Sequence, residues 1–450
     1  AARPPRRYWR RTQAPNGAST NQALPRPPEA TGRARSPQAA GENSSGPACR
    51  NRSRSNTMAP YALPARYGVN ASLASKATIH ASLATPASDA PHPILPGLHA
   101  MRPSLCLLRL SALGDVTHVV PLVRTLQRAW PDGPPLHWVI DPVGLRLLDG
   151  LDGVAFHAYD KRSGLAGMRA LRRTLRQALP AAGYDALLQM QVAARANLLS
   201  AFIPARRRIG YDRSRSRDLH GLFINERIPD RPGIHVLDAI GSFCEPLGLR
   251  QTEVVWNLPV PDAARDWARE QWPDDGTPVL MISPCSSHVL RNWYADRYAA
   301  LADHAAARGW RVVLCGGRSE LERSTTDAIV AAMRTPALDL VGKDTLKQLP
   351  ALLERADLLV TPDSGPMHIA NAMGTRVLGL HAASNPARSG PYSDRRYCVD
   401  RYDDAARKYL GKPAAALRWG SKIERDGVMA LVTVDDAVAA FERYRSDHRR

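Results

Sequence analysis

Apolar and polar positions along the chain form two series in which short apolar runs alternate with segments of helical spacing. The first series begins near Ser104, and its apolar runs are Leu105–Leu110, Leu136–Ile140, Val154–Ala158 and Ala186–Gln189. The second begins near Thr277, and its runs are Val279–Ser283, Val312–Cys315, Asp339–Val341, Leu358–Thr361 and Val377–Leu380. Strands that alternate with helices predict parallel sheets covered by helices on both faces, an α/β fold.

Two such series in tandem predict two doubly wound, Rossmann-like domains, 101–258 and 277–450, with a ligand cleft at the carboxyl ends of the strands. The segment Leu258–Gly276 between them is rich in proline and reads as the linker. The helices predicted between or after the strands are Val116–Arg128, Leu165–Leu179, Ala295–Ala307, Leu321–Met333, Leu346–Arg355 and Asp435–Tyr444. We expect the last of these to pack back on the body of the protein.

Residues 1–100 have a different composition, rich in Ala, Arg, Pro, Ser and Asn and without periodic apolar positions. Such a segment cannot bury enough surface to offset the entropy of ordering, so we predict a disordered extension. It contains 13 Lys and Arg against three Asp and Glu, which is more than half of the formal net charge of +19. It could be a nucleic-acid-binding arm, a transit peptide, or a stretch upstream of the natural start. We favour the third explanation, because Met101 stands directly before the first strand.

Cysteine usage and hydropathy narrow the class of protein further. The six cysteines show no C-x-x-C spacing and no zinc-site pattern, which fits a reducing cytosol. No apolar run approaches the roughly 18 residues of a membrane-spanning helix, and the start lacks the apolar region of a secretory signal. We expect a soluble protein that can touch a membrane surface.

The first candidate motif runs from Leu108 to Pro121 and reads L-R-L-S-A-L-G-D-V-T-H-V-V-P. Asp115 lies where the first strand turns into the first helix, at the mouth of the sheet. A carboxylate there can be a helix cap or first-turn residue favoured by the helix dipole. The loop lacks G-x-G-x-x-G, and the chain has no G-x-x-x-x-G-K-[ST] phosphate loop.

The second motif, Ser283–Trp293, follows the first strand of the second domain. Its hydroxyls at Ser286 and Ser287 and the guanidinium of Arg291 suit a diphosphate, because all three groups donate hydrogen bonds to phosphoryl oxygens. The alternative is an ordinary polar loop in which Trp293 anchors the core.

The third motif, Thr361–Gly374, reads T-P-D-S-G-P-M-H-I-A-N-A-M-G. A helix starts near Gly365 with proline in its first turn, and free N–H groups at such a start attract anions. Asp363 and Ser364 can hold sugar hydroxyls or phosphate, while His368 is either part of the site or a structural histidine. The chain contains no D-x-D pair, which favours a metal-independent mechanism.

Taken together, from about Ser104 to past Tyr392, the three segments resemble in order and spacing the lipopolysaccharide heptosyltransferases of glycosyltransferase family 9. The resemblance implies a GT-B fold and an inverting transfer of heptose from ADP-heptose to a hydroxyl of the lipopolysaccharide inner core, without metal or other cofactor. It also implies that the enzyme acts at the cytoplasmic face of the inner membrane. Within the family, the segment G-D-V-T-H favours the transferase that adds the first heptose.

The resemblance further assigns roles to single residues. Asp115 matches the catalytic base of the family. Diphosphate binding is implied for Ser286, Ser287 and Arg291, and contact with the nucleotide for Glu320. The positions that match the donor-sugar and phosphate region are Asp363, Ser364, Gly365 and His368. Two departures keep the chemical type: Ser364 stands where Thr is frequent, and Arg291 where Lys is frequent.

Basic clusters in the first domain are candidates for the acceptor side. The predicted helix 165–179 carries a basic face, and a second cluster follows at 206–217. An anionic inner core and an anionic membrane leaflet would each favour them, whereas the alternative is a solvated surface. The residues that we expect to face acceptor or membrane are Arg169, Arg172, Arg173, Arg176, Arg207 and Arg208.

Other functions remain open from the sequence. A family 9 transferase with another donor or acceptor, an epimerase of the same fold, and a GT-B protein that binds sugar without catalysis fit most of the same motifs. A nucleic-acid-binding protein is suggested only by the pI of about 10.1, and no recognition motif supports it. Deleting residues 1–100 would abolish most nucleic-acid binding and leave a transferase active.

Overall fold

The computed structural model describes residues 103–179 and 183–448. The extension predicted at 1–100 lies outside these residues and stays a prediction. Within them, twelve strands occur, and they are β1 (Leu105–Leu108), β2 (Leu136–Ile140), β3 (Val154–Ala158), β4 (Tyr184–Gln189), β5 (Ala205–Gly210), β6 (Glu226–Arg227), β7 (Val279–Ile282), β8 (Arg311–Leu314), β9 (Leu338–Asp339), β10 (Leu358–Pro362), β11 (Arg376–His381) and β12 (Val399–Asp400).

The α-helices of the same part of the chain lie between or after the strands. They are α1 (Leu113–Thr117), α2 (Val120–Ala129), α3 (Pro142–Leu148), α4 (Gly164–Gln177), α5 (Ala194–Ser200), α6 (Val236–Gly241), α7 (Asp262–Gln271), α8 (Ala295–Ala306), α9 (Glu320–Ala332), α10 (Gln348–Arg355), α11 (Gly365–Met373), α12 (Pro386–Ser389), α13 (Tyr402–Leu410) and α14 (Val434–His448).

The strands form two six-stranded sheets with the same topology. The first has the order β3-β2-β1-β4-β5-β6 and the second β12-β11-β10-β7-β8-β9, and every strand pair is parallel. Read from the first strand of each half, both follow the order 3-2-1-4-5-6 of doubly wound nucleotide-binding folds. The prediction of two doubly wound α/β domains is confirmed.

Apolar clusters cover both faces of each sheet. On one face of the first sheet, α4 and α5 contribute Met168, Leu171 and Leu199 to a core with Cys106 and Leu187 of the strands. On the outer face of the second sheet, α8 and α14 pack together. The remaining faces share one continuous core that includes side chains of both sheets and of α11. The two domains are therefore joined by buried apolar contacts.

Several elements differ from the sequence expectation. The single helix predicted at 116–128 is two helices, α1 and α2, which meet near His118. The proline-rich linker contains helix α7, which packs on α10 and is tied to it by a 2.8 Å hydrogen bond from Arg265 to Glu354. Strand β5, with three consecutive arginines, was not predicted. None of the helices in the described ranges is both long enough and apolar enough to span a bilayer.

Candidate active site in the interdomain cleft

Helices α1 and α11 meet across the cleft between the domains. Helix α1 follows β1 and α11 follows β10, and in each sheet these strands border the point where the strand order reverses. A Cβ atom added to Gly114 would lie 2.2 Å from Cδ2 of His368, so the imidazole rests directly on the backbone of α1. From the other side, Leu113 lies 3.5 Å from where a Cβ of Gly365 would be. The starts of the two helices are thus held in contact, at the place where ligands bind in such folds.

Asp115 stands on α1 at this contact. Its carboxylate is 2.5 Å from Nη2 of Arg109 and accepts the Ala112 N–H at 3.1 Å, and its side chain is 34% exposed. Burial raises the pKa of Asp115, but Arg109, the Ala112 N–H and His368 outweigh it and hold the pKa below its ordinary value. The carboxylate is therefore ionised at neutral pH and partly open to solvent. Its bond to Ala112 is also the contact expected of a helix cap.

Arg109, at the end of β1, was not predicted as a site residue. It donates to the Met190 carbonyl at 2.5 Å as well as pairing with Asp115, and its side chain is only 12% exposed. The signal in the sequence was a charge inside an apolar run, L-R-L. Such a residue is rarely buried without a partner, and here the partner is the candidate base.

Three buried histidines line the joint beneath Asp115. His118 of the first domain lies edge-on to His368 of the second, with ring centroids 4.5 Å apart, and to His235 at 5.8 Å. His235 Nε2 lies 3.0 Å from the Gly390 carbonyl across the joint. Burial lowers the pKa of all three, to about 4 for His235, so they are neutral at pH 7. His368 is thus both a packing residue and a neighbour of the candidate base.

Asp363 and Ser364 are held by defined partners at the start of α11. Asp363 is 9% exposed, and its carboxylate pairs with Nζ of Lys422 at 2.5 Å. Burial raises the pKa of Asp363, but Lys422 outweighs it and keeps the group ionised. Ser364 caps α11 by accepting the Met367 N–H, and its hydroxyl also bonds to Thr361 at 2.8 Å. Lys422 adds a cation beside the motif that the sequence did not reveal.

The loop after β7 carries the residues that were predicted to bind a diphosphate. Arg291 makes hydrogen bonds of 2.7 and 2.5 Å to Glu424, and Ser286 is tied back to the His288 carbonyl at 3.0 Å, while Ser287 is exposed. Trp293 is 3% exposed and donates to the Val432 carbonyl at 2.8 Å. Trp293 is therefore anchored in the core, Ser287 is exposed, and Arg291, whose side chain is 20% exposed, is engaged by Glu424.

The strand end after β8 presents acidic groups. Glu320 is the first residue of α9 and is exposed. Glu322, two residues later, accepts the Gly317 N–H and the Ser319 hydroxyl, both at 2.7 Å, and so closes the turn. Burial raises the pKa of Asp344, which lies nearby, to about 6. Glu322 is therefore part of the turn, whereas Glu320 is exposed at the start of the helix.

The predicted basic surface divides into two kinds of arginine. Arg169, Arg173 and Arg176 of α4 are exposed, and Arg172 is half-buried. Their helix buries Met168, Leu171 and Leu175 on its opposite face.

The arginines of β5 belong to the second kind. Arg207 pairs with Glu226 at 2.8 Å, and Arg208 donates to the backbone carbonyls of Ser200, Ile203 and Phe223. The guanidinium group of Arg208 is therefore engaged inside the fold, whereas Arg207, with 37% of its side chain exposed, pairs with Glu226 at the surface. A role for these two arginines on the acceptor side stays a prediction.

Two doubly wound domains whose helices α1 and α11 meet beside the central strands are the GT-B architecture of glycosyltransferases, as expected from the motifs. Residues 172–419 match the family model described as Glycosyltransferase family 9 (heptosyltransferase). The chain is also 35% identical over 340 residues to the lipopolysaccharide core heptosyltransferase OpsX of Haemophilus influenzae, covering 76% of this chain and 96% of the relative. The chain belongs to glycosyltransferase family 9 and is a glycosyltransferase.

Solved structures agree on the fold. A family 9 glycosyltransferase from Veillonella parvula superposes with a TM-score of 0.63 at 21% identity, over 77% of this chain and 98% of that one. The E. coli heptosyltransferase WaaC with ADP-2-deoxy-2-fluoro heptose gives a TM-score of 0.54 at 17% identity, over 76% and 99% of the two chains. At these identities the likeness concerns the GT-B fold alone.

Proposed function

We propose that the protein transfers heptose from ADP-heptose to a hydroxyl of the lipopolysaccharide inner core, by a metal-independent inverting displacement. The observation that carries the proposal is the ionised, partly exposed Asp115 at the contact between the starts of α1 and α11. The substrates follow from the relatives, one of which acts on the lipopolysaccharide core and another of which was solved with an ADP-heptose analogue.

In this mechanism the acceptor oxygen attacks the anomeric carbon of the heptose as the bond from that carbon to the diphosphate breaks. Asp115 accepts the proton of the attacking hydroxyl, and ADP leaves with the bonding electrons on its phosphate oxygen. A single displacement inverts the anomeric configuration. Arg109 fixes the orientation of the carboxylate through its 2.5 Å contact, and the exposed third of Asp115 lets the proton pass on to water.

The second domain holds the donor. Arg291, Ser286 and Ser287 bind the diphosphate, and the positive end of α11 at Gly365 adds a further attraction for negative charge. Arg291 then exchanges its contact with Glu424 for phosphoryl oxygens.

The donor sugar and the nucleotide occupy neighbouring groups of the same domain. Asp363, Ser364 and His368 contact the sugar and phosphate region, while Glu320 contacts the nucleotide. The cations Arg291 and Lys422 stabilise the charge of the departing diphosphate, the task that a metal bound by D-x-D performs elsewhere.

The first domain receives the acceptor at the cytoplasmic face of the inner membrane. The exposed arginines of α4, namely Arg169, Arg173 and Arg176, face the anionic inner core or the anionic leaflet that carries it. The protein is then a peripheral enzyme that binds a lipid-anchored substrate from the aqueous side.

The test is transfer by the full chain with ADP-heptose and heptose-deficient lipopolysaccharide, with and without EDTA. We expect ADP release that requires the acceptor, continues in EDTA and yields a product of inverted anomeric configuration by NMR. ADP release without acceptor would indicate a hydrolase, and release only with another nucleotide sugar would change the donor. A product with the anomeric configuration of the donor would overturn the single displacement.

A further inference from the structure

The turn between β5 and β6 exposes two leucines. Leu219 is 72% exposed and Leu222 is 77% exposed, more than any other large apolar side chain in the described ranges. A single exposed leucine is ordinary on a protein surface. Two in one turn, each almost fully in water, form an apolar tip that no other part of the described ranges covers.

Buried polar contacts hold this tip outward. His220, between the two leucines, is 1% exposed, lies 2.8 Å from Asn197 Oδ1 and accepts the Tyr211 N–H at 3.1 Å. Asn197 also donates to the Asp218 carbonyl at 2.8 Å. Asp218 and Leu219 have φ values of 51° and 60°, a left-handed conformation that is unfavourable for leucine. Such strain persists only where the surroundings over-determine it, so the leucines are presented by a braced turn.

Exposed arginines lie on the loop that carries the tip and on the helix that this loop contacts. Arg213 and Arg217 are exposed on the same loop, and Arg195 is exposed on α5, whose first N–H is accepted by Asp218 at 3.1 Å. Helices α4 and α5 cover the same face of the first sheet, because their apolar sides share one core cluster. The exposed leucines and arginines of these elements form what we call the leucine–arginine face: Leu165, Arg169, Arg173, Arg176, Arg195, Leu198, Arg213, Arg217, Leu219 and Leu222.

The face adjoins the acceptor side of the cleft. The loop leaves β5 at Tyr211, at the carboxyl edge of the sheet where Asp115 also lies, and Tyr211 interacts with Arg109. Arg109 in turn pairs with Asp115. A surface that binds the tip would therefore lie beside the mouth of the first domain.

We propose that the Leu219–Leu222 turn inserts into the interfacial layer of an anionic bilayer, while the surrounding arginines contact lipid headgroups. Apolar side chains flanked by Arg are the combination that binds at anionic membrane interfaces. The inference rests on the proposed function in one respect: a lipid-anchored acceptor gives the membrane contact its purpose. The turn then sets the height and orientation of the cleft above the membrane.

Vesicle co-sedimentation of the full chain tests the inference. The probes are vesicles of phosphatidylethanolamine with phosphatidylglycerol, beside vesicles of phosphatidylcholine alone. We expect binding to the anionic vesicles that Leu219→Ser/Leu222→Ser weakens at least tenfold, with the unfolding temperature unchanged because both side chains are exposed. Val330→Ser, on α9 of the second domain and 46% exposed, is the matched control and should bind as the wild type does. Arg173→Gln should weaken binding to the anionic vesicles about fivefold and leave the other vesicles unaffected.

Two further measurements separate this inference from the proposed function. Transfer to deacylated, water-soluble inner-core oligosaccharide should be the same in wild type and leucine variant, whereas transfer to acceptor embedded in vesicles should fall in the variant. Vesicle binding by the leucine variant equal to that of the wild type would overturn the inference while transfer stood. Self-association in sedimentation velocity that the leucine variant abolishes would also overturn it, since the tip would then bind a second copy. A third outcome is that neither acceptor is glycosylated while vesicle binding still depends on the two leucines. This result would contradict the proposed function and support the membrane contact.

Discussion

Replacing Asp115 by Asn isolates the charge of the candidate base from its shape. The amide oxygen can still accept the Ala112 N–H, which the carboxylate accepts at 3.1 Å. What is lost is the negative charge beside Arg109 and the ability to accept a proton from the acceptor hydroxyl. The substitution therefore separates catalysis from helix capping.

The expected loss of activity is larger than the expected loss of folding stability. Removal of a general base lowers kcat by about 10²- to 10⁴-fold, which corresponds to about 3–5 kcal/mol of transition-state stabilisation. The ion pair with Arg109 joins side chains that are 12% and 34% exposed. Its loss should cost about 1–2 kcal/mol of folding stability, less than a fully buried pair, because solvent screens one partner and Arg109 keeps its bond to Met190. Activity should thus fall far more than stability can explain.

Asp141→Asn is the matched control. Asp141 follows β2 as Asp115 follows β1, and its carboxylate caps α3 by accepting the Gly144 N–H at 2.7 Å. Weakening this cap should cost up to about 1 kcal/mol of stability and leave kcat unchanged. Steady-state ADP release and urea unfolding of both variants give the two quantities. If Asp115→Asn lowers kcat no more than Asp141→Asn, Asp115 is a helix cap and the proposed mechanism is wrong.

Three further substitutions probe the joint and the start of α11. Lys422→Met leaves Asp363 as a buried carboxylate without its cation and should cost about 2–4 kcal/mol in urea unfolding, most of which Asp363→Asn should restore in the double variant. Gly114→Ala forces a methyl group against His368 and should cost about 1–3 kcal/mol by thermal unfolding, but little in a His368→Ala background. Burial lowers the pKa of His235 from 6.5 to about 4. The unfolded chain therefore takes up the proton first, and the free energy of unfolding should fall by up to about 1.4 kcal/mol per pH unit as the pH drops from 6.5 towards 4. A shallower dependence on pH in His235→Gln would verify that His235 is the cause, and an unchanged dependence would refute it.

The strands could be predicted from the sequence wherever they are mostly apolar. The run Leu136–Ile140 coincides in full with the buried strand β2, and Val154–Ala158 coincides with β3, an edge strand that is only half-buried. Strand β5 could not, because A-R-R-R-I-G has no apolar signal. Its Arg207 is neutralised by Glu226, and its Arg208 is bound by backbone carbonyls, which only the assembled sheet supplies.

The candidate site was predictable to the extent that it lies within local motifs. Asp115 and His368 each stand in a strand–turn–helix segment, so parallel topology alone brings them to facing edges. Lys422 is a different case, since it approaches Asp363 from a loop 59 residues further along the chain. No spacing rule connects these two residues. The same is true of Glu424, which engages Arg291 across 133 residues.

The contact between Gly114 and His368 ties the position of the base to that of the donor. His368 lies on the helix whose start is proposed to bind the leaving group, and Gly114 is the residue before Asp115. The ring of His368 lies directly against the backbone of Gly114, so only the thickness of this ring separates α1 from α11 at this point. Any side chain at residue 114 would move the two helices apart. A catalytic carboxylate must come within hydrogen-bond reach of the attacking hydroxyl. The glycine at this position therefore keeps the base close to the donor, in addition to allowing the two domains to pack.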